Sequence, residues 1–374
     1  MDGCGDFVQF LGHDMSMKIF MHLDDPSDLV RVCSVSSSWR KVVIASNLSK
    51  QLCLKLLPEI SSVTRIIEAK DLIDPLNLRQ CDCLEWEFLR RNHKVYAFLA
   101  RGLNHFIRKD CISVAISASS TDNYPRESIH NTLEPSDRVG DRASYWSSEG
   151  ESDPAVPETL VYKLMTNMCL VTEIHIQPFQ AYFQHDFPIY SAKAVRFRMG
   201  HPKFFEELCD MSDIYASCHI PADDEFIWTY TSPEFPMTQE NYLQKFKLPE
   251  PVLCIGGFLK VELLGRVQRQ EVDGLYYICI SHVQAVGRPL LPHFDIKMLD
   301  HKGKCALKYL PADRYATSTS LKRRNGASSR FRSFTARLIQ SGTRGLEQVM
   351  LSTLHWSGAV ARNDDTDDEQ GELP

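Results

Sequence analysis

The chain has 374 residues, a formal net charge of −6 and 43% hydrophobic residues. That leaves room for about two or three domains, each able to bury a core, and no run reaches the roughly eighteen apolar residues of a membrane-spanning helix. The start, Met1-Asp-Gly-Cys4, lacks a basic-then-apolar export segment, and Asp2 stands where a myristoylation motif requires glycine. The 12 cysteines therefore read as reduced thiols in a cytoplasmic or nuclear setting, mostly as small buried hydrophobes. Cys81 and Cys83 have the wrong spacing for a zinc knuckle, and no second pair follows.

The N-terminal segment predicts short helices. Leu11, Met15, Ile19 and Leu23 recur at helical spacing along one face. Asp25 suits an N-cap, Pro26 the first helical position and Asp28 the first turn. Leu29, Val32 and Val35 mark a second helix, which the Ser36-Ser37-Ser38 run breaks before Trp39. Helices this short cannot keep so much apolar surface to themselves, so a partner is expected to cover it.

From about Asp6 to Leu57 the pattern resembles the F-box. It is carried by Leu11, Asp14-Met15, Ile19, Phe20 and Leu23, then Pro26, Asp28 and Leu29, then Val35, Trp39-Arg40, Leu48 and Leu52. Gly12 departs from it, standing where the family has proline. The resemblance implies a three-helix module, residues 1–57, that docks the Skp-family adaptor of cullin-RING ubiquitin ligases. The implied adaptor-binding residues, some for the interface and some for a small internal core, are Leu11, Met15, Ile19, Phe20, Leu23, Pro26, Leu29, Val32, Val35 and Trp39. Charges at Asp14, Arg31 and Arg40 would orient the complex at its rim.

Residues 58–110 read as a helical linker. Ile66, Ile67 and Leu72 predict a short amphipathic helix stopped at Asp74-Pro75, and Leu84, Phe88, Val95, Leu99, Leu103 and Phe106 predict a long one. From Ile112 the apolar period becomes two. Ile112, Val114 and Ile116 open the series, followed by Leu160 to Leu164, Ile174 and Ile176, Val195 to Met199, Phe226 to Tyr230, Leu259 to Leu263 and Tyr276 to Ile280. Strands so widely spaced, with Pro-, Asp- and Ser-rich turns and no interleaved helices, predict an antiparallel jelly-roll β-sandwich. Gly256-Gly257 reads as a bulge or close sheet contact.

Residues 111–290 also resemble the galactose-binding-like (discoidin and Doc-type) sandwich, through Ser119-Ser120, Tyr124, Asn131, Leu133, Tyr145-Trp146-Ser147-Ser148, Pro157 and Leu160–Leu164. In that family ligands bind at the loop end, which implies Tyr124, Tyr145 and Trp146 as substrate anchors. Trp146 reads equally as a core residue beneath the long 119–157 loop. The fold class expected for the whole chain is thus α+β and multidomain: an N-terminal three-helix F-box and helical linker, the sandwich, short C-terminal helices and a disordered acidic tail.

Residues 291–362 contain the basic segment Leu321–Arg332 and then two short helices around Phe334, Leu338, Leu346, Val349, Met350 and Leu354, split by Gly342 and Gly345. Lys322-Arg323-Arg324 reads as a flexible linker or an import signal. Phe331 between Arg330 and Arg332 is only a weak sign of nucleic-acid binding. The tail, 363–374, carries Asp364, Asp365, Asp367, Asp368, Glu369 and Glu372 and no basic residue, so the rest of the chain is formally neutral.

No Walker loop, Gly-x-Ser-x-Gly or His-Glu-x-x-His occurs. Asp223-Asp224-Glu225 reads as a solvated turn, and His175 and His185 as surface histidines beside Glu173 and Asp186. No catalytic, cofactor or metal site is assigned. The leading functional expectation is a ubiquitin-ligase substrate receptor, a plant-type F-box protein whose partners are the adaptor and, through it, cullin and a RING protein, with the sandwich presenting a protein substrate. Two alternatives stand beside it. One is a glycan receptor using Tyr182 and Phe183 with Gln180, Gln184 and Asp186. The other is an enzyme with an adaptor-binding leader.

Overall fold

The computed structural model describes residues 6–68, 81–104, 108–203, 225–290, 293–300 and 303–310. Leu72, Phe106, Asp223, Asp224, the basic 321–332 segment, the helices expected at 334–354 and the acidic tail lie outside these residues.

Four helices open the chain: α1 (Phe7–Phe20), α2 (Pro26–Val35), α3 (Ser37–Ala45) and α4 (Leu48–Leu56). The expected caps are present: Asp25 accepts from Ser27 N at 2.7 Å, and Ser36 from Trp39 N at 3.2 Å. α1 is kinked at Gly12, where φ is 72° and ψ 175°. Proline, locked near φ −65°, could not take this conformation. Glycine here thus changes the path of the chain as well as removing a preset φ. The last expected helix is split in two, because Asn47 takes a left-handed conformation (φ 51°) between α3 and α4. Val8, Phe20, Leu29, Cys33, Val43, Leu48 and Leu52 close a small core among these helices, with Leu23, Val32 and Trp39 packed partly against it.

The linker reading is half right. The long helix forms as α5 (Cys81–Asn104). The short amphipathic helix expected at Ile66 and Ile67 is instead a strand, β1 (Val63–Glu68). Its β-branched residues suit extended backbone. The partner that stabilises it lies at the far end of the described chain, so local spacing could not reveal it. That partner is the parallel strand Cys305–Tyr309, which also pairs antiparallel with Phe294–Met298. Both strands fall in the region after Pro292, where helices and a basic loop were expected.

Between these elements lies the sandwich. Its main strands are β2 (Ile112–Ala118), β3 (Glu158–Leu164), β4 (Met168–Gln180), β5 (Ala192–Pro202), β6 (Phe226–Thr231), β7 (Gln244–Ile255), β8 (Phe258–Arg266) and β9 (Cys279–Pro289). The third sheet then supplies β10 (Phe294–Met298) and β11 (Cys305–Tyr309). One sandwich sheet runs β6-β5-β8-β3-β2 and the other β7-β4-β9, all antiparallel. The chain crosses between sheets at β3–β4, β4–β5, β6–β7, β7–β8 and β8–β9, as a jelly roll requires. Gly256-Gly257 is one of these crossings rather than a bulge. Both residues have positive φ (97° and 73°), and a Cβ on Gly257 would stand 2.5 Å from the Thr166 carbonyl oxygen.

Leu160, Tyr162, Val171, Ile174, Phe197, Val261, Ile280 and Trp146 belong to the intersheet core. In β2 the expected parity fails. Register shifts between Ile112 and Val114 and between Ala115 and Ser117 turn Ala115 inward, and Ile116 packs outside against Val161, Phe226 and Phe258.

A second core joins the F-box helices to the sandwich. Cys53, Leu57 and Ile60 from the end of α4 and the turn after it meet Val95 and Leu99 of α5, Ile66 of β1 and Leu307 of β11. Met168, Leu170, Leu253 and Ile255 on the outer face of β4 and β7 complete it. α5 is tied in further by His93, whose ring nitrogens lie 2.8 Å from Ser49 Oγ and 3.7 Å from Cys33 Sγ. Burial there lowers the imidazole pKa.

Candidate functional sites

The first site is the outer surface of α1. The helix carries apolar residues on more than one side, and its own core takes only one of them. Phe20 is 3% exposed, whereas Ile19 is 41%, Met15 49% and Phe10 79% exposed; Leu11, Met21 and Val35 are exposed as well. A helix that is apolar on more than one side needs cover on its second face. The ten residues expected to bind an adaptor therefore separate. Leu11, Met15, Ile19 and Val35 are open to a partner. Phe20, Pro26 and Leu29 are buried, Phe20 and Leu29 in the small internal core that some of the ten were expected to form; Leu23, Val32 and Trp39 are half-buried against that core. The i, i+4 pattern could not separate these roles, because in so small a module the inner and outer stripes of α1 are both apolar. Phe10 and Met21 were missed, although both are large apolar residues flanking the recognised stripe.

Asp6 holds this surface in place. It accepts from Val8 N at 3.1 Å, Ser38 Oγ at 2.7 Å and Trp39 Nε1 at 2.6 Å, and so fastens the start of α1 to α3. These bonds, that from Ser38 foremost, lower its carboxyl pKa below the ordinary value of 3.8. A lowered folded-state pKa stabilises the fold at pH values above the unfolded pKa, and the contribution is lost as pH falls through the folded one. The Trp39 indole N–H is expected to stay protected from exchange at neutral pH and to lose protection only below pH 3.8. In Asp6→Asn, whose amide oxygen can still accept but does not titrate, the protection should no longer change with pH over this range, as NMR exchange would show. Arg40, expected at the rim, donates from Nε to the Cys33 carbonyl oxygen at 2.9 Å and braces α3 against α2.

The second site lies at the loop end of the sandwich. A cavity of about 170 Å³ opens there, walled by Tyr145, Phe179, Phe183, Tyr190 and Tyr277. Tyr145 stacks on Phe179 with ring centroids 3.9 Å apart, and its hydroxyl donates to Glu127 at 2.7 Å. Tyr190 donates to Gln184 at 2.7 Å and Tyr277 to Asp273 at 2.5 Å. Burial first, with nearby carboxylates adding to it, raises the phenol pKa of all three tyrosines, that of Tyr190 to about 12. Of the three expected substrate anchors, Tyr145 lines this cavity, and Tyr124 is exposed but is not among the lining residues. Trp146 is 0% exposed and belongs to the intersheet core. The short strand Trp146–Ser147 pairs with β9, so neighbouring side chains face opposite ways. Trp146 points inward, donating to the Ser120 carbonyl oxygen at 3.1 Å, and Tyr145 points out.

The loops rest on a buried ion pair that sequence reading did not find. Arg266, 1% exposed, donates to Glu158 at 2.5 Å, to Ser148 Oγ at 3.0 Å and to the carbonyl oxygens of Glu149 at 2.7 Å, Tyr276 at 2.9 Å and Val156 at 3.2 Å. Glu158 also accepts from Ser119 and Ser120, at the start of the long loop. Among the described residues no group of three or more His, Cys, Asp or Glu could hold a metal ion. His175, expected at the surface, is buried and lies 3.0 Å from Glu173, whereas His185 is exposed as expected, 3.2 Å from Asp186.

An F-box-like family model matches residues 13–55, which include exposed Met15 and Ile19 and most of the core beneath them. F-box protein At4g00755 of Arabidopsis thaliana is 50% identical over 311 residues, 82% of this chain and 82% of that one. The chain belongs to the F-box proteins. The similarity runs well beyond the matched module, so this F-box protein shares much of its body with that relative. Among solved structures, the galactose complex of the family 32 carbohydrate-binding module of C. perfringens NanJ is similar at 14% identity, over 48% of this chain and 99% of that one, with a TM-score of 0.31. A fucolectin of striped bass (Morone saxatilis) is similar at 12% identity, over 51% and 50%, with a TM-score of 0.30. Allantoicase of Saccharomyces cerevisiae is similar at 12% identity, over 52% and 53%, with a TM-score of 0.34. Among the described residues no helix of this F-box protein is long and apolar enough to cross a membrane.

Proposed function

We propose that this F-box protein is the substrate-recognition subunit of a Skp–cullin–F-box ubiquitin ligase, acting in the cytoplasm or nucleus. α1 and its neighbours dock the adaptor, and the loop end of the sandwich holds a protein substrate. One observation carries the reading. The F-box helices complete their own core and still leave Phe10, Leu11, Met15, Ile19 and Met21 uncovered. Such a face suits a helix-in-groove contact. The chain then contributes no covalent step: it brings a lysine-bearing substrate close to a ubiquitin-charged enzyme, which is catalysis by proximity.

The glycan alternative is less well supported, because the amides it would use are engaged. Gln184 accepts from Tyr190, and Gln180 donates to the Phe187 carbonyl oxygen and accepts from Asn241. The test is reconstitution. Full-length protein mixed with a purified plant Skp-family adaptor is expected to co-elute as a stoichiometric complex on gel filtration. Separate elution at micromolar concentrations would overturn the reading.

A further inference from the structure

The loop-end cavity is too small for a large ligand. Pockets for drug-sized molecules run to roughly 300–1,000 Å³, and a cavity of about 150 Å³ holds one benzene. At about 170 Å³ this one admits a single side chain. Its walls are aromatic, and the ionisable side chains at its rim other than tyrosine and cysteine are carboxylates: Asp122 and Glu127 line it, with no Lys, Arg or His among the lining residues. Glu127 takes one hydrogen bond, from Tyr145. Among the described residues the Asp122 carboxylate makes no hydrogen bond or ion pair, and its backbone N–H donates to the Ser147 carbonyl oxygen at 3.2 Å.

The surroundings extend the same field. Asp273 and Glu271 act on Tyr190, and Asp122 and Asp273 on Tyr277. Aromatic faces bordered by uncommitted carboxylates attract a cation twice, through the ring quadrupole and through charge. The cluster already holds one cation at its edge. The Arg138 guanidinium lies 3.7 Å from the centroid of Tyr182, whose ring packs edge-on against Phe183 at 5.5 Å. Asn123 and Gln270 place amides at the rim, where the backbone of an extended segment would pass.

We propose that this cavity anchors a lysine or arginine side chain of the substrate's recognition segment. The assignment rests on the receptor reading and names the class of substrate that the receptor takes. The cation enters alongside the Tyr145 and Phe183 rings and meets Asp122 and the second oxygen of Glu127, while its aliphatic stem lies on the rings.

The test uses the full chain bound to its adaptor and a randomised nonapeptide library. Lysine or arginine is expected to be enriched at one fixed position. The best selected peptide, synthesised and titrated by fluorescence anisotropy, should bind at least about tenfold more weakly to Asp122→Asn and to Glu127→Gln, and its affinity should fall with added salt. Asp122→Glu should retain most of the binding. Melting curves identify any variant that fails to fold, and Phe183→Ala, at an exposed wall position, serves as an independent variant that should also weaken the peptide. Enrichment of acidic or apolar residues, no enrichment at all, or equal affinity for Asp122→Asn and wild type would overturn the assignment. Wild-type protein that fails to bind the adaptor would overturn the receptor reading instead, so the two failures are distinguishable.

Discussion

Ile19→Asp is expected to cut adaptor capture by roughly 100-fold or more and to leave the melting temperature within a degree or two of wild type. Ile19 is already partly exposed in the free chain, so a carboxylate there meets water and costs the fold little. In the complex the same carboxylate would be stripped of water without a partner, a penalty of at least ~3 kcal/mol. Its neighbour behaves in the opposite way. Phe20→Ala removes a ring buried against Leu29, Val43 and Trp39, and should cost about 3–5 kcal/mol of F-box stability before any partner is added. Co-precipitation beside thermal melting of both variants separates interface from core. Retained capture by Ile19→Asp would remove the adaptor reading, whereas a large melting shift would show that Ile19 packs within the chain.

Arg266→Met should destabilise the sandwich by about 3–5 kcal/mol, a large share of a domain's net stability. The substitution strands Glu158 without its cation and frees the three carbonyl oxygens and one hydroxyl that Arg266 now gathers. The double variant Arg266→Met/Glu158→Gln removes the stranded charge and should recover part of the loss. Urea unfolding checks both. A single-variant change below about 0.5 kcal/mol, the scale of an ordinary surface substitution, would mean that the network does not hold the loops.

The F-box helices were legible because their signals are local: Asp25 and Ser36 cap as read, and the apolar spacing of α1 and α2 follows from helix geometry. Most strands were legible for the same reason: Ile174 and Ile176 face the intersheet core as their alternation predicts, although His175 between them is buried on the other face. Non-local pairing was not. β1 looked helical because Ile66 and Ile67 suit either state, and its parallel partner β11 carries no motif. Parity in β2 failed where bulges break the period, which sequence alternation cannot register.

The candidate site divided along the same line. Exposed Met15 and Ile19 differ from buried Phe20 only in which side of one turn they occupy. Tyr145 and Trp146 are neighbours in the chain and differ only in facing opposite ways. Arg266 and Glu158, far apart in the chain and unremarkable in type, offered no signal that they would meet in the interior.

The apolar core shared by α4, α5, the third sheet and the outer face of β4 and β7 packs the end of the F-box helices directly against the sandwich. In a receptor of the kind proposed, cargo seated at the loops would inherit a set bearing toward the transferring enzyme. The choice of acceptor lysine would then follow from reach and angle: a lysine on the near flank is modified, and an identical one on the far flank is passed over.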